Sequence, residues 1–399
     1  MITEAFITKI FDAASMMRWN DKMRPIEFTE LNKQAHKMII AYVLGKFEEE
    51  NRSKDLDWIE IIEGGIFELL QRIVVTDLKP QLFHRIEDDW ETYKELNEWV
   101  YKQIENLISP INSNFCKKFK NYLLDRDPEK NLNKRILRAA HYYASRWEFN
   151  IIKRANPNGY EISEIEKGLQ DELEKYNDLK GIQKLTLYSK FKSFVDLCGE
   201  LAFQIRWSHL HRVPKTSVLG HMLIVAILSY LLSIEIGACK KRCTNNYFTG
   251  LFHDLPEVLT KDIKNPVKKA APELDRLIKK YEIEQMEKKV YILIPNIWHS
   301  EMKMFTEDEF TSIVTINGER KTISSGEVNE SFNEDKYNPR DGEIVRAIDD
   351  LSAFVEVCLA LENGIESGEL RKAKDILREK YEERTIAGIN FKKIYGDFH

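Results

Sequence analysis

Four side chains in the second half of this 399-residue sequence, His221, His253, Asp254 and Asp349, are of the types that hold a divalent metal. Imidazole and carboxylate together suit first-row ions such as Mn, Fe, Co or Zn, with no need for a soft thiolate. His253 and Asp254 are adjacent, and neighbouring side chains on a helix diverge by about 100°, so this pair clasps an ion from two sides only. The remaining ligands must come from other elements, for which His221 and Asp349 are the candidates. Glu257 follows His253 by four residues and shares its helical face, beside the same metal. Each residue taken singly has a plainer reading: a lone His on an apolar helix is usually a hydrogen-bonded core residue, and a helical Asp is usually solvated. Asp349 and Asp350 both lie off the apolar stripe of their segment, so periodicity does not choose between them.

Helices must position these groups. Gly (17) and Pro (11) are sparse, and most of the chain reads with helical periodicity. Met222–Ile236 is apolar nearly all round, as a buried helix is. Ile344–Leu361 places Ile344, Ile348, Leu351, Val355, Cys358 and Leu359 on one stripe. Glu161–Tyr176 and Glu369–Arg384 read as solvated helices. The strand signal is Phe310–Ile323, where β-branched residues flank Asn317-Gly318, the dipeptide favoured in a type I′ hairpin turn. Asn245–Gly250 reads as turn-like and Ser324–Arg340 as a loop. The expected class is mainly α, with a small β-hairpin inserted late.

At about 100–200 residues per domain, this length favours two domains, or three. A hydrophobic fraction of 43% fills ordinary cores, and 60 Lys+Arg against 65 Asp+Glu leave no global cationic footprint for nucleic acid or anionic lipid. The cysteines (Cys116, Cys198, Cys239, Cys243, Cys358) form no CxxC pair and read as reduced intracellular thiols. Residues Met1–Met17 lack the pattern of a signal peptide. The longest apolar run, Met222–Leu232, is broken by Ser229 and is too short to cross a bilayer. A soluble, cytoplasmic protein is expected, with neither membrane nor nucleic acid as partner.

An internal repeat organises the chain. Arg18-Trp19 precedes His36–Ala41 as Arg206-Trp207 precedes His221–Ala226, and Gly65–Asp77 matches Gly250–Asp262 without a gap. Both His36/His221 and Asp77/Asp262 stand 185 positions apart. Ile136–His141 matches Ile344–Asp349 at 208, the added positions falling where the hairpin sits. The boundary between the copies falls near residues 178–186, where Asn177–Gly181 supplies a break.

The arrangement H…HD…D, within GHMLIVA, GLFHDLPEVLTKDIKNPVK and IVRAIDDLSAF, resembles the HD-domain metal-dependent phosphohydrolases. It is most similar to their YfbR-like 5′-deoxynucleotidase branch, which is helical and homodimeric. Arg206-Trp207, fifteen residues before His221, matches that branch as well, and the likeness covers about residues 191–384. The resemblance implies a divalent cation (Mn, Co, Mg, Fe or Zn) on His221, His253, Asp254 and Asp349, the last in preference to Asp350. It also implies that Glu257 and Asp262 act on the nucleophilic water and the leaving oxygen. Arg206 would grip the phosphate, Trp207 would pack near the base or anchor Arg206, and Lys268 with Lys261 and Lys264 would draw in an anionic substrate. The implied activity is release of phosphate from a nucleotide, most directly a 5′-deoxynucleoside monophosphate. Triphosphohydrolase or cyclic-nucleotide phosphodiesterase chemistry, and a non-catalytic nucleotide sensor, are the alternatives. One departure stands out: members commonly carry an acidic residue before the first metal-binding His, and here Gly220 precedes His221.

In the first half, Glu68, Leu69, Arg72 and His141 stand where the second has His253, Asp254, Glu257 and Asp349. Leu cannot ligate a metal. The expected architecture is therefore two tandem HD-like helical bundles: a degenerate one over residues 1–180, and a working one over 181–399 with an insertion at about 303–341. The first would serve as a permanent partner, a pseudo-dimer within one chain.

Overall fold

The computed structural model describes residues 1–52, 55–76, 78–261 and 271–398. Asp77, Asp262 and Lys268 lie outside the described residues, and so does Lys264. The molecule is mainly α-helical, with three two-stranded ribbons among the described residues.

The first half begins with α1 (Glu4–Ser15), followed by the short antiparallel pair β1 (Met17–Arg18) and β2 (Phe28–Thr29). Helices α2 (Glu30–Arg52) and α3 (Trp58–Val75) come next, and after three intervening helices α4 (Leu132–Ala155) and α5 (Ile162–Glu174). The second half runs through the same order. Helix α6 (Ser189–Glu200) matches α1 in length, and a bridge between Ile205 and Ser217 takes the place of β1 and β2. Helices α7 (Val218–Glu235) and α8 (Lys240–Phe252) follow, then, beyond the hairpin, α9 (Gly342–Glu362) and α10 (Gly368–Tyr381).

Helix α7 is buried from Val218 to Ser233 and forms the centre of the molecule. It is long and apolar enough to span a membrane, but its apolar residues pack within the protein. A helix apolar all round needs neighbours on every side, and two contacts show how close they come. At Gly250 a Cβ would lie 2.7 Å from the Ala226 backbone, so glycine lets α8 approach α7 and fixes the end of α8 beside it. At Gly220 a Cβ would lie 2.9 Å from Leu31 and 3.0 Å from Asn32, both on α2. An acidic side chain before His221 would need the Leu31 and Asn32 side chains of the first half to move aside.

The halves meet along α2 and α7. Ser217 Oγ, which also caps α7, donates to Asn32 Oδ1 at 2.6 Å. Tyr42 packs edge-on against Phe248 and Phe252, and Tyr230 donates its hydroxyl to Glu63 at 2.8 Å. One apolar cluster runs continuously from Ile2 to Phe398, so the two halves share a core.

The hairpin forms as its turn residues require: β3 (Ile313–Ile316) pairs with β4 (Glu319–Thr322), and Asn317 and Gly318 both have positive φ, as a type I′ turn demands. Two local readings are corrected. Asn245–Gly250 lies inside α8 rather than in a turn. Ser324–Arg340 is no simple loop, for Ser324 and Glu327 form a capping box on the helix Ser325–Ser331. Arg340 donates to the carbonyls of Asp308 and Thr311 at 2.7 Å each, and the next residue, Asp341, makes a buried ion pair with Arg242 at 2.5 Å. These bonds tie the insertion to α8.

Candidate metal centre

Three elements deliver the predicted ligands to one place. His221 is the fourth residue of α7, His253 and Asp254 follow the end of α8, and Asp349 sits on α9. Ligand atoms of His221, His253 and Asp349 all lie within 4.8 Å of one another. Asp254 Oδ2 joins them, 3.2 Å from His253 Nε2 and 3.7 Å from His221 Nε2, while Asp349 Oδ1 is 3.0 Å from His221 Nε2. Asp350 points elsewhere, held by Lys380 at 2.5 Å and the Tyr381 hydroxyl at 2.7 Å.

The donor set fits a cation. His253 Nδ1 lies 2.8 Å from the Gly250 carbonyl, so a ring proton belongs there and Nε2 faces the cluster. Nε2 is buried and makes no hydrogen bond, with a carboxylate oxygen beside it. Carboxylates beside Nε2 call for a positive charge there, which a proton supplies here and a bound cation would supply in its place. The titration behaviour has the same cause. Burial alone pushes the His253 imidazole down, but the Asp254 and Asp349 carboxylates outweigh it and raise it to about 9. Asp254 is held far below the usual range, against its burial, by His253, His221 and Arg206. Asp349 falls to about 2 through its hydrogen bond with His221, again against burial.

Around this cluster the remaining predicted residues fall into place unevenly. Glu257 is buried, its N–H bonded to the Asp254 carbonyl at 3.0 Å. Arg206 brings Nη1 to 3.7 Å from Asp254 Oδ2 and Nε to 3.3 Å from Glu356. Trp207 spends its indole N–H on Glu356 at 2.8 Å, and its ring packs with Val357, Ala360 and Leu370. Glu356 was missed by the sequence reading. It is fully buried, receives Arg206, Trp207 and the Thr216 hydroxyl, and is pulled to about 2 by Arg206 and Arg212 despite desolvation. A signal for it existed: an acidic residue on the same helical face as Asp349, seven positions further along α9. The base of the insertion forms one wall, with the Phe310 ring 6.1 Å from that of His253 and the Arg346 guanidinium stacked over it.

The first half holds a comparable clamp. Arg18 Nε reaches Glu148 at 3.0 Å and Trp19 Nε1 donates to the same carboxylate at 2.7 Å; Trp19 and Trp207 also share an unusual positive φ. His36 does not stand where His221 does. It bonds the Val195 carbonyl at 3.0 Å, packs edge-on against Trp147, and is pushed down to about 4 by burial. The fourth residue of α2 is Lys33, and its Nζ lies 2.6 Å from His141 Nδ1.

No protein of curated function matches the chain. Residues 198–377 match the family model described as HD domain, which supports a place in the HD-domain superfamily, whose members are generally metal-dependent hydrolases.

Proposed function

We propose that the second half is a divalent-metal phosphohydrolase acting on nucleotides, with 5′-deoxynucleoside monophosphates as the first substrates to test. The observation that carries this reading is the convergence of His221, His253, Asp254 and Asp349 around a buried imidazole nitrogen with no hydrogen bond of its own. These four residues would hold the ion. A bound divalent ion supplies a water acidic enough to attack at neutral pH and withdraws charge from a phosphoryl oxygen.

The chain's own groups do the rest. Glu257, buried just after the His253-Asp254 pair, takes the proton of the attacking water. Asp262 is assigned to the leaving oxygen and Lys268 to substrate attraction, on the motif alone. Arg206 offers its planar fork to the phosphate while Glu356 holds it in place. Trp207 shares the Glu356 carboxylate and so positions Arg206 rather than stacking on a base.

The first half is read as a degenerate copy of the same plan, a built-in partner in place of a second subunit. The matched order of α1–α5 and α6–α10, the shared core and the paired clamps Arg18-Trp19-Glu148 and Arg206-Trp207-Glu356 support this.

The test is a product-resolved assay over mono-, tri- and cyclic nucleotides with Mn²⁺, Co²⁺ or Mg²⁺. Nucleoside and inorganic phosphate from a monophosphate are expected. Tripolyphosphate or a linearised cyclic nucleotide as the product would redirect the substrate assignment. Turnover unchanged by Asp254→Ala would remove this cluster from the chemistry.

A further inference from the structure

The first-half cluster is not merely short of ligands; it is filled. Lys37, on α2 and fully buried, directs its Nζ to Glu68 Oε2 at 2.5 Å and to Gln34 Oε1 at 3.1 Å. Lys33, equally buried one turn earlier, directs its Nζ to His141. Glu68 and His141 occupy the chain positions of His253 and Asp349, so the two amines point at the groups that in the second half face the proposed ion. Leu69, buried, stands for Asp254, and Arg72 for Glu257. Every acidic partner nearby is engaged: Glu30 by Arg18 and Gln34, Glu148 by Arg18 and Trp19, and Glu68 by Lys37 and the Tyr122 hydroxyl.

We propose that the Lys33 and Lys37 amino groups take the place of the divalent ion in the first half, making it a permanently filled site that needs no metal and admits none. The inference rests on the metal reading of the second half. A lysine amine is a compact point donor on a flexible stem, so it reaches the centre of a ligand cluster as an ion does. Unlike an ion, it cannot be removed by a chelator. The first half then stays assembled at any metal concentration and keeps α2 against α7, where Leu31 and Asn32 abut Gly220.

The experiment restores a ligand set in the full chain: Lys33→His, Lys37→Val, Glu68→His, Leu69→Asp and His141→Asp together. Metal per chain after Mn²⁺ loading and gel filtration is expected to rise from one equivalent to two, with the added one surviving Asp254→Ala. A folded graft that stays at one equivalent overturns the proposal. Because five changes can compromise folding, Lys37→Met and Lys33→Met are measured separately in EDTA. Each is expected to lower the melting midpoint by more than about 4 °C, with no recovery on adding Mn²⁺. Midpoints at the wild-type value would overturn the proposal as well. A wild-type chain that binds no metal speaks against the second-half centre alone and leaves the two lysine variants decisive.

Discussion

The two halves of this molecule solve one structural problem in two ways. Each has a buried helix, α2 or α7, whose fourth residue faces a residue of a later helix, α4 or α9. Each has an Arg-Trp pair clamped on a buried Glu. In the second half the centre is lined with carboxylates and imidazoles and leaves a buried nitrogen without a hydrogen bond. In the first half lysines supply the donors and the network closes on itself. The difference teaches that similar helical surroundings hold a cluster of carboxylates and imidazoles in one half and a cluster closed by buried lysines in the other.

The largest asymmetry should be in turnover. His253→Ala is expected to cut phosphate release by more than the roughly 10–100-fold that loss of a mere supporting partner costs. Glu68→Ala, at the matching position, should leave turnover within about twofold. Equal losses from the two would erase the distinction between the halves. Next come the clamps. Glu356→Gln should lower turnover by about 10–100-fold through misplacement of Arg206, measurable as a change in kcat/KM. Glu148→Gln should spare activity and lower stability in urea denaturation, because Arg18 would lose a buried partner.

The junction sharpens the comparison further. Gly220→Ala places a methyl group against Leu31 and Asn32 and should cost about 1–3 kcal/mol of stability. Wild-type stability in that variant would mean that α2 and α7 are looser than they stand here. A further effect is in pH dependence. Burial pushes Lys33 from 10.5 down to about 7, with Arg18 and Lys37 also lowering it and Glu30 and Glu68 opposing. His141, against its Nζ, is itself kept neutral by burial and these cations. Between about pH 7 and 10.5 the unfolded chain therefore binds the extra proton, and stability rises with pH by at most about 1.4 kcal/mol per unit from this group. Lys33→Met should flatten that slope in denaturation series at pH 7, 8 and 9.

Much of this was legible in the sequence, and the gaps have physical causes. The mainly helical class, the buried α7 and the Asn317-Gly318 hairpin followed from periodicity and turn chemistry. The ligand set His221, His253, Asp254 and Asp349 came from residue types and from the family resemblance, and the structure gathers those four. Register failed within α2. His36 looked like the counterpart of His221 because histidine matched histidine, whereas the strand pairing just before each helix aligns Lys33 with it. Matching by identity could not find a substitution of opposite chemistry. The loop reading of Ser324–Arg340 gave too little weight to Ser324 and Glu327 as a capping box. The surroundings of Gly220 were not legible in the sequence, since its contacts are with the other half.

The most direct measurement is the metal content of the full chain after Mn²⁺ loading and gel filtration. One equivalent per chain is predicted, abolished by Asp254→Ala and retained in Glu68→Ala. Two equivalents, with one lost in Glu68→Ala, would contradict the account by making the first half a working metal site.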